Sequence, residues 1–564
     1  MFNLNHISTA LVGFPIAVAV LVIAVTSIFE WVGKSGRKYP PGPKGIPFFG
    51  NLFQLSKQDF EEWGHKYGKA NRISLAHPAD AYGDMAYLRV FGQGILLLNS
   101  HTAAVDLLDR RSGIYSDRPS FVVLNSLTRG LFLGAISYGD VWRRMRRGGH
   151  ECLSKASTSR YHGLQEREAL LFTENLLKDS KDWHQEVSRV SISLLLSTVY
   201  DVPPTLSMQD PVIEKFNKFD NLIIDATFPG NYLVEFFGWM KFLPSVFAPW
   251  KTRMANGFTE FSAFFERLCL DIEKQIDEGD EKSGIAGYVI REQKRLGLTK
   301  SEAAWLPATF LNLCLSQVTE AILWFFLAMV AFPEQQRRCQ QELDAVVGRS
   351  RMPTVEDAES LPYIRATGTS ALETDFTTRS VFRLVENMHR LKIHTGTQHV
   401  TKQPVRSFIV CKDDWYQGRF IPKGTMCFAH IWLMNRDKKI YGEDAEDFNP
   451  GRFLDKEGRF VPIVGETKDG YLESEGHVAY GFGARICPGR YYANDALFII
   501  FARLLWTATI SPVTDQRTGK PMIPDLKDTV GDGITMRPPT FDIKVSHRFS
   551  EAATLMSQTK ELLG

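Results

Sequence analysis

The stretch Tyr480-Gly-Phe-Gly-Ala-Arg-Ile-Cys-Pro-Gly489 decides how this chain is to be read. One cysteine, Cys487, closes a glycine-rich turn immediately before an apolar run of helical character reaching from about Gly489 to Ile510. A helix starting there points free backbone N–H groups and the positive end of its dipole at the sulfur, which favours the thiolate. Gly483 and Gly489 permit a tight backbone path, Arg485 places a cation two residues before the sulfur, and Tyr480 and Phe482 offer apolar cover. These features suit a cysteine that ligates haem iron as its anion, with Arg485 facing a propionate; a thiolate in that role favours O–O cleavage. The competing reading is an inert cysteine in a glycine turn, since free Cys is common in protein cores.

A second haem contact is proposed from Trp142-Arg-Arg-Met-Arg146, because Trp142 and Arg146 are four residues apart and share a helix face. Both side chains can donate to one propionate, while Arg143, Arg144 and Arg147 are expected to point outward. The alternative is a basic surface helix that meets a reductase or lipid headgroups.

At these two motifs the chain resembles the cytochrome P450 superfamily, whose cysteine loop reads F-x-x-G-x-R-x-C-x-G and whose corresponding helix carries W-x-x-x-R. Tyr480 stands in the Phe position. The resemblance covers nearly the whole chain, and the layout is most similar to membrane-bound fungal enzymes of secondary metabolism of the O-methylsterigmatocystin oxidoreductase type. It implies a mainly α fold with a small β subdomain, haem b ligated axially by Cys487, O2 as co-substrate, and electrons from NADPH–cytochrome P450 reductase. Phe448-Asn-Pro-Gly-Arg-Phe453 is similar to the family's P-x-R-F pattern and gives Arg452 a structural role, joined in the family to a Glu and an Arg from an E-x-x-R helix.

Composition agrees without deciding. The chain has 564 residues, of which 44% are apolar, enough for one large core. With 66 basic and 64 acidic residues the net charge is +2, and no basic stripe interleaved with aromatics is present, so nucleic acid is not an expected partner. The seven cysteines are scattered, without a C-x-x-C pair or zinc spacing, which suits a reducing compartment.

From Ile7 to Phe29 run 23 residues without a charge, long enough to span a bilayer. The basic residues Lys34, Arg37 and Lys38 follow the run, which argues against a cleaved signal peptide and places the remaining chain on the cytosolic side. The expected arrangement is a single-pass anchor in the endoplasmic reticulum membrane at residues 1–38, in contact with membrane lipid. A proline-rich elbow at 39–52 and a catalytic domain at 53–564 follow. Short extended runs, Met85–Val90 and Gly94–Asn99, predict a small sheet, and Pro333 opens a surface helix that Gly348 closes. The nearly charge-free segment Glu302–Met329 predicts a buried central helix.

The sequence departs from the resembled pattern in two regions. Between Leu361-Pro-Tyr-Ile-Arg-Ala366 and Lys412-Asp-Asp-Trp-Tyr416 no E-x-x-R appears; in Glu386-Asn-Met-His-Arg390 the arginine comes one residue late, a slip of about 100° around a helix. Glu292-Gln-Lys-Arg295 fits E-x-x-R but precedes the central helix and reads as a surface pair. Segments 69–81 and 367–411 read as insertions, either retained introns and frame errors or natural loop expansions, which surface loops tolerate. On the central helix, where the family places an acid and a Thr above the haem, stands Asn312-Leu-Cys-Leu-Ser-Gln-Val-Thr-Glu320. Ser316 and Gln317 fall at the acid and alcohol positions, and Thr319 lies a small shift away. A hydroxyl or amide can hold the water a proton relay needs, although a hydroxyl bonded to its own helix is an equal reading of Thr319. Two functions remain open: a monooxygenase inserting one atom of O2 into a lipophilic small molecule, and a catalytically impaired or non-enzymatic haem protein that lacks the E-x-x-R helix.

Overall fold

The computed structural model describes residues 37–46, 49–51, 83–90, 92–205, 207–227, 231–235, 237–374, 407–461, 477–526, 530–531 and 536–563. The apolar run Ile7–Phe29, the segment 69–81 and the near-motif Glu386–Arg390 lie outside these residues.

The described chain divides into two compact units, one built from residues 37–119 and 407–430 and the other from 120–374 and 431–563. In the first unit, β1 (Met85–Val90) and β2 (Gln93–Leu98) form an antiparallel hairpin with Leu88 opposite Ile95. Near-continuous burial along both strands explains why they read as apolar runs rather than alternating ones. Strands β3 (Phe408–Ile409), β4 (Asp414–Tyr416), β5 (Arg419–Ile421) and β6 (Met426–Ala429) complete the unit; β6 runs parallel to β2 and antiparallel to β3. The proline-rich elbow is docked on this sheet. The Pro41 carbonyl accepts from Tyr87 N–H at 2.8 Å, and Asn51 Oδ1 accepts from Arg89 N–H at 2.9 Å.

The second unit is helical: α1 (Val122–Thr128), α2 (Asp140–Cys152), α3 (His162–Lys178), α4 (Trp183–Tyr200), α5 (Pro211–Thr227), α6 (Pro249–Asp277), α7 (Ile285–Leu296), α8 (Lys300–Ala331), α9 (Pro333–Val346), α10 (Pro362–Thr374), α11 (Arg490–Thr507) and α12 (Ala552–Leu563). Strands β7 (Ala508–Pro512), β8 (Val530–Gly531), β9 (Met536–Arg537) and β10 (Ile543–His547) pair as two ribbons, β7 with β10 and β8 with β9. Ala508 to Ile510, expected at the end of the helix after Cys487, instead opens β7.

Helix α8 is the expected central helix. Thr299 and Glu302 form a capping box at its start. It is long and apolar enough to cross a membrane, yet most of it is buried inside the unit, as befits a core helix. Phe325 of α8 stacks on Phe501 of α11 with ring centroids 3.7 Å apart, and Trp305 packs edge-on against Phe219 and Phe265. Helix α9 is less exposed than its polar composition suggested. Gln336 is buried, and its amide exchanges two hydrogen bonds with the Ile510 backbone, both 2.8 Å, which satisfies the strand edge.

Helices α2 and α8 approach closely at Gly148 and Gly149. A Cβ on Gly149 would overlap the Phe310 ring, and one on Gly148 would lie 3.1 Å from Leu306. Replacing Gly149 by Ala is therefore expected to lower stability by about 1–3 kcal/mol through overpacking. Gly163→Ala, at an exposed helical site with open space around the new methyl, is expected to raise it by roughly 0.5–1 kcal/mol. Thermal unfolding of both variants checks the contrast.

Candidate active site

The loop before α11 is fixed by its own backbone. The Tyr480 carbonyl accepts from Cys487 N–H, and the Gly483 carbonyl accepts from Ile486 N–H, each at 3.0 Å. Gly481 (φ +79) and Gly483 (φ +61) take left-handed conformations that disfavour other residues. Gly489 does not; its φ of −92 belongs to the N-cap of α11. Phe482 is fully buried, and Tyr480 donates its hydroxyl to Asn494 Oδ1 at 2.6 Å, tying the loop to the first turns of α11. A buried asparagine that the sequence did not single out, Asn435, accepts from Val478 N–H at 3.1 Å and braces the loop's entry.

Helix α2 brings its cations to this loop. Arg146 is half-buried and donates to the Ile486 carbonyl. Burial pushes its guanidinium down to about 10; the neighbouring Cys487 sulfur opposes this fall, and Arg490 adds to it. Arg485 lies over the Trp142 ring, 4.4 Å from its centroid, and donates to the Ile136 carbonyl at 2.7 Å. The structure thus gathers Trp142, Arg146, Arg485 and Cys487, which the sequence had placed in two separate motifs. Arg490, in the first turn of α11, donates to the Cys487 carbonyl at 3.3 Å. Arg143 and Arg147 are exposed as expected, but Arg144 turns toward α8 and pairs with the buried Glu302 at 2.6 Å.

Most of α8 is buried, yet Asn312, Leu313, Cys314, Leu315 and Gln317 are only half-buried, which marks open space beside this turn. Cys314 faces the Cys487 region: burial raises its thiol pKa, and the Cys487 sulfur raises it further. Gln317 belongs to this accessible turn. Thr319 donates its hydroxyl to the Leu315 carbonyl at 2.9 Å, the bond to its own helix that the sequence had left as one option. The Ser316 side chain lies outside the described residues. Cys314 and Arg490 were invisible as site residues in the sequence because neither belongs to a spacing pattern.

Arg452 is almost wholly buried and donates to the carbonyls of Asp444, Ala445 and Asp447, the last at 2.8 Å. Its 3-10 turn, Pro450–Phe453, packs against α10, whose register after Ala366 reads Thr367, Gly368, Thr369 and a buried Ser370. Glu292 and Arg295 form the expected surface pair on α7.

The residues suit haem. Arg146 has five N–H donors, and among the described residues its one hydrogen-bond acceptor is the Ile486 carbonyl, so this half-buried cation beside the sulfur has donors to spare for anionic partners. A group carrying two carboxylates and a thiolate-binding iron meets that need, and Cys487, Trp142, Arg146 and Arg485 are the residues that can hold it. A helical fold that sets one cysteine at a helix start among half-buried guanidinium groups suits a haem-thiolate protein.

Sequence comparison names the class. The cytochrome P450 profile matches residues 40–367 and 403–545. The chain is 40% identical to cytochrome P450 monooxygenase iboC of Amanita muscaria, over 97% of this chain and 98% of that one, and 40% identical to a cytochrome P450 monooxygenase of Armillaria gallica over 97% of each. It is 35% identical to cytochrome P450 monooxygenase 58 of Postia placenta over 98% of this chain and 97% of that one. The chain belongs to the cytochrome P450 family, whose haem iron is ligated by a cysteine. It is a monooxygenase of that family, using O2, a redox partner and an organic substrate. The match passes through 69–81 without a break and pauses over 368–402, the region in which no E-x-x-R was found.

His477, at the entry of the cysteine loop, is fully buried, with Nδ1 accepting from Ala479 N–H at 3.1 Å. Burial pushes it from 6.5 down to about 4, so it is neutral in the folded protein. The unfolded chain binds a proton at His477 between those values and the folded chain does not. This stabilisation is therefore complete above pH 6.5 and declines as pH falls toward 4. At pH 5 the decline from this one group amounts to ~2 kcal/mol. Chemical denaturation from pH 7 to pH 5 should show a shallower loss in His477→Gln than in the parent. Part of the loss remains in the variant, because burial and Arg537 shift His184 in the same direction.

Proposed function

We propose that Cys487 is the axial thiolate of haem b and that the enzyme inserts one oxygen atom from O2 into a lipophilic small molecule, drawing electrons from NADPH–cytochrome P450 reductase. The observation that carries this reading is the convergence of Trp142, Arg146 and Arg485 on the Cys487 loop at the start of α11. Haem, when bound, supplies the iron that activates oxygen. The protein's residues do the rest. Arg146 and Trp142 donate to propionates, Arg485 is held beside them on the Trp142 ring, and the Tyr480–Asn494 bond keeps the loop in place. Phe482 excludes water from the sulfur. Gln317, on the accessible turn of α8 with Ser316 and Thr319, holds water for proton delivery.

A specific observation favours a second reading, an impaired haem protein: the family match pauses over 368–402, directly after the Ala366 contact by which α10 packs on the Arg452 turn. The reduced, carbon monoxide-treated spectrum separates the two. Parent protein with a strongly red-shifted Soret band supports the thiolate, Cys487→Ala is expected to lose both that band and turnover, and Arg146→Leu to retain several-fold less haem. Parent protein that binds haem without the shifted band sinks the monooxygenase assignment of Cys487 and leaves the second reading.

The same proposal places the enzyme on the endoplasmic reticulum membrane through a single span at Ile7–Phe29, with residues 53–564 as a cytosolic catalytic domain. Support comes from the connection between α5 and α6. There Trp239 is 64% exposed, Phe242 79%, Val246 86% and Phe247 75%, with Lys241 and Lys251 beside them. Apolar side chains rimmed by lysines suit contact with a bilayer surface. In full-length protein reconstituted into nanodiscs, brominated lipid should quench Trp fluorescence, and Trp239→Phe should lose a large part of that quenching. Equal quenching in the two proteins counts against contact at this segment.

A further inference from the structure

Three tyrosines stand in a row between the helix that begins at the cysteine and the outside of the helical unit. Tyr492 lies in the first turn of α11, five residues after Cys487, and interacts electrostatically with the Cys314 sulfur of α8. Its ring meets that of Tyr161, at the start of α3, edge-on at a centroid distance of 5.7 Å. From there the row passes Arg160 and Cys152. The Arg160 guanidinium lies 5.9 Å from the Tyr161 ring centroid and 5.5 Å from that of Tyr288 in α7, and the Cys152 sulfur interacts electrostatically with both phenols. Tyr492 and Tyr161 are buried while Tyr288 is half-buried, so solvent meets the row at Tyr288.

Each hydroxyl is held. Tyr492 shares a 2.7 Å hydrogen bond with Thr198 Oγ1, Tyr161 donates to the Cys152 carbonyl at 3.3 Å, and Tyr288 donates to Glu151 Oε2 at 2.8 Å. Phenylalanine would fill the same volume at the two buried positions without needing polar partners in the core. What the hydroxyl adds is a ring that yields an electron readily once its proton has somewhere to go. Of the three, Tyr288 is the one whose acceptor is a carboxylate. Arg295 donates to the same Glu151 and, as the largest influence, holds that carboxylate below its ordinary range, so the acceptor is ionised at neutral pH.

We propose that Tyr492, Tyr161 and Tyr288 form a protective electron route, which carries oxidising equivalents from the haem pocket to the surface when no substrate consumes them. The route rests on the monooxygenase reading, in which O2 and reductase electrons supply the oxidant. One electron leaves Tyr492 for the haem centre and is replaced from Tyr161, which is refilled in turn from Tyr288. The Tyr288 phenol then gives its proton to Glu151, which passes it to water, and is left as a neutral phenoxyl radical. A small-molecule thiol restores it by giving up one hydrogen atom. Two such passages, with two protons taken from solvent, turn one unspent oxygen atom into water while two thiols become one disulfide. A purely structural role, filling the space between α3, α7 and α11, predicts no radical at Tyr288.

The test uses full-length, haem-loaded protein turned over with NADPH, reductase and O2, without added substrate or thiol, after its carbon monoxide spectrum has been recorded. A nitroso spin trap with peptide mass spectrometry locates the radical, and loss of Soret absorbance measures self-oxidation of the haem. The parent is expected to carry trap adducts at Tyr288. In Tyr161→Phe, which keeps the ring and removes the oxidisable group, those adducts should fall several-fold and the haem should bleach several-fold faster. Tyr363→Phe, at a buried position of α10 off the row, should match the parent. A parent with a red-shifted Soret band but no adduct at Tyr288, or equal adducts and bleaching in parent and Tyr161→Phe, overturns the route and leaves the monooxygenase reading standing. Loss of that band in the parent refutes that reading and the route with it. Should Tyr161→Phe unfold, Tyr288→Phe carries the comparison: faster bleaching supports the route, and bleaching equal to the parent's overturns it.

Discussion

A half-buried guanidinium beside a cysteine sulfur is the constraint around which the cysteine loop and helix α2 are arranged. Arg146 is half-buried and, among the described residues, has one carbonyl to receive its N–H groups, so its charge is favoured by an anion beside it. The Cys487 thiolate, in turn, is favoured by the start of α11 and by nearby cations. Each half of the arrangement is costly without the other. Holding them together requires helix α2 to lie close against α8, which Gly148 and Gly149 allow, and the Arg144–Glu302 pair secures the approach. Asn435 and the Tyr480–Asn494 bond then keep the cysteine loop from relaxing.

The central helix serves two demands that pull in opposite directions. As the core of the unit it must be apolar, and Trp305, Phe325 and their aromatic partners satisfy that demand. In the role proposed for it beside the haem, it must also present polar groups and leave room. Both are met within one or two turns, from Asn312 to Gln317, where burial gives way and amide and hydroxyl side chains appear. Thr319 illustrates the limit of that region: its hydroxyl is occupied by its own helix, and the helix is closing back into core.

The region between α10 and β3 is where this chain differs from its family. Arg452 remains buried and is supported by backbone carbonyls rather than being exposed to water, so the turn that carries it is satisfied locally. Helix α10 still packs against that turn through Ala366, but the residues that follow do not continue the family pattern. The departure therefore lies beyond the Ala366 contact and leaves the W-x-x-x-R spacing of α2 and the cysteine loop unaltered.

The family, the cysteine loop, the W-x-x-x-R helix and the central helix were legible in the sequence because each is encoded by local spacing: a glycine turn, a four-residue interval, a long uncharged run. The two strands near residue 90 were legible for the same reason. Other features were not. Gln336 and Gln340 looked like surface residues, and only strand β7 lying alongside α9 gives them buried partners. Arg144 looked outward-facing until α8 supplied Glu302. Cys314, Asn435 and the row of Tyr492, Tyr161 and Tyr288 have no signature, since their meaning lies in contacts between residues far apart in the chain. Sequence alone determined which side chains can do the chemistry. Tertiary packing decided which of them meet, because burial and long-range hydrogen bonds exist only once distant segments have been brought together.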